Sequence, residues 1–88
     1  MSDTESLLEF PCQFPIKVMG KSHADFDAMV VEVVRRHVDD ISEGAVTSRP
    51  SKAGNYTAVT VVIEATSRAQ LDAIYMELTA CPEVLMAL

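Results

Sequence analysis

Residues 55–78, NYTAVTVVIEATSRAQLDAIYMEL, decide the fold. The β-branched run from Tyr56 to Ala65 is the strongest strand signal in the chain, with Val59, Val61 and Ile63 on its more apolar face. Directly after it the apolar period changes from two residues to about 3.6. Ser67 and Gln70 have capping-box spacing. Leu71, Ile74, Tyr75 and Leu78 then recur at three- and four-residue steps, which predicts one buried helix face. Pro82 halts the helix, and EVLMAL (83–88) closes the chain as a last strand.

Reading outward toward the N-terminus, SKAGN (51–55) is a hairpin loop in which glycine and asparagine supply positive φ. AVTSRP (45–50) before it is a short polar strand stopped by Pro50, and VDDISEG (38–44) is a turn-rich connection. FPIKVMG (14–20) alternates Phe14, Ile16 and Val18 with Lys17 and Met19, the mark of a strand. Gly20 reads as its tight exit, and Ser22 with Asp25 as a second capping box. Phe26, Met29, Val30, Val33, Val34 and His37 form a helix stripe. It ends near Arg35, Arg36 and His37, whose charge suits the negative end of the helix dipole.

The element order is strand, helix, strand, strand, helix, strand. That is the βαββαβ plan of the α+β, ferredoxin-like sandwich, a four-stranded antiparallel sheet with two helices on one face. Right-handed crossovers put the first and third strands in the centre. The second strand, with Arg49 and Pro50, suits an edge. The expected core is Ile16, Val18, Phe26, Val30, Val33, Val59, Val61, Ile63, Leu71, Ile74 and Leu78. Truncating Ile63 or Leu78 to alanine is expected to cost about 2–5 kcal/mol.

With 88 residues the chain forms one domain, read as a flexible tail over residues 1–6 and a single domain over 7–88. Thirteen acids against seven bases give a net charge of −6, which opposes nonspecific binding to phosphate backbones. No apolar run approaches the roughly 18–20 residues that cross a bilayer. The acidic MSDTESLLEF (1–10) is unlike a basic secretion signal, so a cytoplasmic protein without a membrane partner is expected. Cys12 and Cys81 lack CxxC spacing and read as two reduced, small hydrophobes.

Catalytic and cofactor motifs do not assemble. Gly20-Lys21-Ser22 resembles the end of a phosphate loop, but the motif's first glycine would fall at Pro15. KAGNYTAV (52–59) shares a lysine, a glycine and a tyrosine with part of the strand motif of RNA-binding ferredoxin-like domains. Tyr56 is the sole aromatic of that strand, and the first strand offers Lys17 and Met19 instead of a ring, so nucleic acid is not the expected partner. His23, read into the first turn of the first helix, and His37 lack the i, i+4 spacing of paired metal ligands. Asp39, Asp40 and Glu43 lack calcium-loop spacing. Met19, Met29, Met76 and Met86 read as core or near-core fillers. The expectation is no metal, no cofactor and no catalytic residue.

LLEFPCQFPIKVMG (7–20), VVEVVRRH (30–37), SKAGNYTAVTV (51–61) and LDAIYMEL (71–78) together resemble the YbeD-like family of small bacterial proteins of unknown function. The resemblance runs from Leu7 to Leu88. It implies a ferredoxin-like fold similar to the ACT domains that regulate amino-acid metabolism and, through gene neighbourhood, a link to lipoate metabolism. ACT domains commonly bind small effectors where the first strand meets the first helix, which here is Gly20, Lys21, Ser22 and His23. The family carries no established active site.

Two function classes follow. The first is a non-enzymatic regulatory or interaction domain. It would use a sheet edge, the open sheet face or an effector pocket to take a protein partner, a second copy or a small molecule. The second is a small enzyme whose polar groups converge only in three dimensions. The apolar VLMAL (84–88) at a sheet edge, with Met19, Tyr56 and Val62 on the open face and Leu85 within the edge run, is the expected interaction surface. The N-terminal LLEFP (7–11) or another chain is expected to cover it.

Overall fold

A computed structural model describes residues 9–88. The tail read at 1–6, and Leu7 and Leu8 of the covering segment, lie outside these residues. Strand β1 (Cys12–Lys21) leads to helix α1 (Phe26–Arg35). A 3-10 turn (Glu43–Ala45) precedes strand β2 (Val46–Pro50), which pairs through a hairpin with β3 (Tyr56–Ala65). Helix α2 (Arg68–Thr79) and strand β4 (Val84–Ala87) complete the chain. The sheet is antiparallel with order β2-β3-β1-β4, so the two long apolar strands are central as their composition requires.

Each element buries the stripe its sequence marks. From β1, Ile16 and Val18 face the helices; from β3, Val59, Val61, Ile63 and Ala65 do. Phe26, Val30, Val33 and Val34 of α1 and Leu71, Ile74 and Leu78 of α2 close over them. All eleven expected core residues are buried, joined by Val34, Val38 and Ala65. Each fully buried aliphatic side chain contributes about 1.5–3 kcal/mol relative to exposure. Cys12 and Cys81 are free thiols packed at the margin of this core.

The α2 N-terminus follows its sequence signal. Ser67 Oγ accepts from Gln70 N at 3.1 Å, and Gln70 Oε1 accepts from Thr66 N at 2.7 Å. Gln70 Nε2 also donates to the His37 carbonyl at 2.8 Å, tying the start of α2 to the chain after α1.

The α1 signal misleads. Helix α1 begins at Phe26, its cap residue is Asp25, and no side chain caps it. Ser22 fails as a cap because β1 continues through Lys21 and carries Ser22 along β3. There Ser22 N donates to the Asn55 carbonyl at 3.0 Å, and its hydroxyl lies 2.7 Å from Thr57 Oγ1. His23 therefore precedes the helix instead of standing in its first turn, with Nδ1 accepting from Asp25 N at 3.3 Å.

Gly20 is also not a strand exit. It is buried inside β1, where an added Cβ would meet the Glu83 carbonyl and the Phe26 ring. In the hairpin, Gly54 has φ +77° as expected, whereas Asn55 does not share the positive φ. A side chain at Gly54 would point into open space, so Gly54→Ala is expected to cost only the left-handed backbone penalty, about 1–2 kcal/mol. Chemical denaturation measures this, and an unchanged midpoint would show that the loop relaxes.

A polar clasp joins the helices. Glu77 on α2 is paired with Arg36, and its Oε1 lies 2.7 Å from His37 Nε2. Its carboxyl is held below the ordinary carboxylate range, chiefly by the hydrogen bond with His37, against the opposing effect of burial, and then by Arg36. A carboxyl depressed in the folded state stabilises at pH values above its unfolded range and loses that contribution as pH falls through its folded value. Glu77→Gln is therefore expected to destabilise near neutrality. Its urea midpoint should converge with that of the parent as pH falls below the ordinary glutamate value of 4.5. Midpoints that stay apart at low pH would show that the clasp acts by packing instead of charge.

Candidate interaction surface

The helices cover one face of the sheet, and the side chains of the opposite face form cross-strand rows. Met86, Met19, Ala58 and Arg49 make one row from β4 to β2, because Met19 pairs with both Met86 and Ala58, and Ala58 with Arg49. Leu88, Lys17, Thr60 and Thr47 make the next. Leu88 joins it by exchanging both backbone hydrogen bonds with Lys17, at 2.7 and 3.1 Å. Lys21 stands opposite Tyr56 beyond the first row. Met19, Met86, Leu88 and Ala58 line a shallow apolar depression with Lys17 and Thr60 at its walls.

Three of the four methionines correct their reading as core or near-core fillers, and of the three Met19 was also expected on the open face. Met19, Met76 and Met86 are 41%, 73% and 49% exposed, and only Met29 packs against the core. Alternation explains Met19 and Met86: each is one residue out of phase with the inward-facing positions of its strand. Met86 and Leu88, expected only as part of the edge run VLMAL, belong to the rows of the open face. The available signal was their parity once VLMAL is laid antiparallel to FPIKVMG.

The β4 edge is shorter and less regular than an open template. Gly20 pairs with Val84 while Met19 pairs with Met86, so Leu85 is the extra residue of a bulge, exposed and out of the ladder. Bulges of this kind are one way natural sheets blunt an edge. The terminal residue is held from the helix side by Tyr75, whose hydroxyl donates to the Leu88 carbonyl oxygen at 2.6 Å. Burial holds the Tyr75 phenol above its ordinary pKa, so the donor keeps its proton.

Of the residues singled out in sequence, Met19 stands between Ala58 and Met86 and Tyr56 stands opposite Lys21, while Leu85 is the bulge residue of β4. Val62 is half-buried four residues along β3 from Ala58, roughly 13 Å away at strand spacing. There it borders a separate cleft with Gln13, Ser42, Gly44 and Ala45. At the junction of β1 and α1, Lys21 and Ser22 line a shallow polar cleft with Gly54, Asn55 and Tyr56 of the hairpin. Gly20 is buried beneath this region. His23 points elsewhere, edge-on to Phe26 with ring centres 5.8 Å apart. Two stretches distant in sequence thus meet at one corner of the sheet. Among the described residues, no helix is long and apolar enough to cross a membrane.

Among the described residues, these features define a small βαββαβ module with one face packed and one face open. The chain belongs to the family described as "Protein of unknown function (DUF493)", whose model matches residues 5–88, in agreement with the YbeD-like resemblance. It is 53% identical over 87 residues to a UPF0250 protein of Paraburkholderia phytofirmans, covering 99% of this chain and 98% of the relative. A UPF0250 protein of Chromobacterium violaceum is 49% identical over 89 residues, covering all of both chains. Among solved structures, the solution structure of protein HP0495 from H. pylori is similar in fold, with a TM-score of 0.70 at 13% identity. That match covers 92% of this chain and 85% of the other.

Proposed function

We propose that the chain is a non-enzymatic regulatory or protein-interaction domain whose working surface is the open sheet face beside β4. The observation that carries this reading is the placement of exposed apolar side chains. Among the described residues, Met19, Met86 and Leu88 line one depression of the open face, with Leu85 at the adjoining bulge and Tyr56 opposite Lys21, and of the large exposed hydrophobics only Met76 lies on a helix. Scattered apolar residues are ordinary on a surface, whereas a contiguous patch is characteristic of a docking site. The short, bulged β4 makes side-chain docking on the face a better fit than strand addition along the edge.

Sedimentation at several concentrations, with binding assays on the intact chain, Met86→Lys and Leu85→Lys, tests the reading. Loss of association in Met86→Lys, with folding retained, is the expected result. Full association and full cellular function in both variants would overturn it.

A second reading rests on the cleft formed by Lys21, Ser22, Gly54, Asn55 and Tyr56. Its position at the first strand-to-helix junction fits an ACT-like effector site, and the lipoate link implied by the family resemblance names a metabolite class to try. Thermal shift with amino acids, lipoate and related carboxylates tests it, because a specific ligand stabilises by mass action. A shift abolished in Ser22→Ala would support the effector reading, and no shift with any of these compounds would remove it.

A further inference from the structure

The strands and the rest of the chain carry opposite charge. Of the eleven acids among the described residues, only Glu64 lies in a strand, whereas three of the seven bases, Lys17, Lys21 and Arg49, do. Pairing register puts all three bases on the open face: Lys17 opposite Thr60, Lys21 opposite Tyr56 and Arg49 opposite Ala58. Glu64 sits at the far end, opposite Gln13. In the helical layer, Arg36 is matched by Glu32 and Glu77, and Arg68 by Asp72. Among the described residues, no acid stands within ion-pair distance of the three sheet bases. A chain of net charge −6 therefore presents a cationic face with an apolar centre.

We infer that this face docks an acidic segment of a partner protein, an extended stretch that carries both carboxylates and aliphatic side chains on the side it presents. The inference rests on the interaction-domain reading and supplies the partner's chemistry. The row from Met86 through Met19 and Ala58 to Arg49 spans three strand spacings, about 14 Å, the reach of about four extended residues. Aliphatic side chains fill the depression at Met86 and Met19, and carboxylates meet Arg49, Lys17 and Lys21. Charge complementarity of this kind selects partners and speeds their encounter. Nucleic acid fits less well. Binding of single strands uses several stacking rings, and Tyr56 is the one aromatic in the open-face rows.

The test is amide-shift mapping on the isotope-labelled full chain. The probes are a synthetic Glu-Leu peptide in which the every-second residues that share a face include both types, its Gln-Leu and Lys-Leu counterparts, and an oligouridylate. The Glu-Leu peptide alone is expected to shift Lys17, Met19, Ala58 and Met86. Its affinity should fall about tenfold or more when ionic strength rises from about 0.05 to 0.5 M, as screening of exposed charges requires. A similar loss is expected in the Lys17→Glu, Arg49→Glu double variant. The milder Lys17→Gln, Arg49→Gln pair serves if charge reversal disturbs folding. Equal binding of the Gln-Leu peptide, lost in Met86→Lys, would overturn the acidic preference while leaving the interaction surface standing. Preference for the Lys-Leu peptide or the oligouridylate, or no shift on this face with any probe, would overturn the proposal.

Discussion

Phe26→Ala is expected to lower the unfolding free energy by about 3–5 kcal/mol, the range for emptying a buried aromatic site. Phe26 is the bulkiest of the fully buried side chains and the first residue of α1. Its ring lies over Gly20, where β1 passes closest to the turn before β4. Removing it opens a void at the point where β1, α1 and that turn meet. A domain of this size has about 5–15 kcal/mol of total stability, so the variant should be largely unfolded at modest urea. A midpoint within experimental error of the parent would mean that α1 is not seated on Gly20.

Gly20→Val has the second large expected effect, and its physical cause is the opposite one. Even a first added carbon would stand 2.3 Å from the Glu83 carbonyl and 2.4 Å from the Phe26 ring. Overpacking usually costs about 1–3 kcal/mol, but here one neighbour is backbone that cannot rotate away. The expected outcome is a cost at or above that range, with the β1–β4 pairing lost first because Gly20 pairs directly with Val84. Shrinking the ring in a Gly20→Val, Phe26→Leu double variant should recover only part of the loss, since the Glu83 carbonyl remains. Full recovery would assign the whole clash to the ring. A Gly20→Val protein as stable as the parent would contradict the packing described for this corner.

Periodicity made the fold legible because it reports burial directly. The strand from Tyr56 to Ala65 and the stripe at Leu71, Ile74 and Leu78 appear with the bounds and faces their patterns imply. Local hydrogen-bond signals were less dependable, because they compete with tertiary partners. Ser67 caps its helix, but Ser22, with the same spacing, is carried off by Thr57 and Asn55. Gly20 looked like punctuation, and its need arises from contacts with Phe26 and Glu83 that spacing cannot reveal.

The candidate surface was half legible. Met19, Tyr56 and Leu85 are exposed as expected, but the bulge at Leu85 and the outward parity of Met86 and Leu88 depend on the β1–β4 register. Charge segregation was hidden for a related reason. A net charge of −6 averages over the chain, and only the pairing shows Lys17, Lys21 and Arg49 gathered on one face.

Site-specific photo-crosslinking in the cells that make the protein tests the central claim most directly. A photoreactive residue replaces Met86 on the open face in one variant and Met76, exposed on α2, in another. The account predicts a discrete protein adduct from position 86 that is absent from position 76 and lost when Lys17 and Arg49 are reversed in charge. Adducts from position 76 alone, or from neither position, would contradict it.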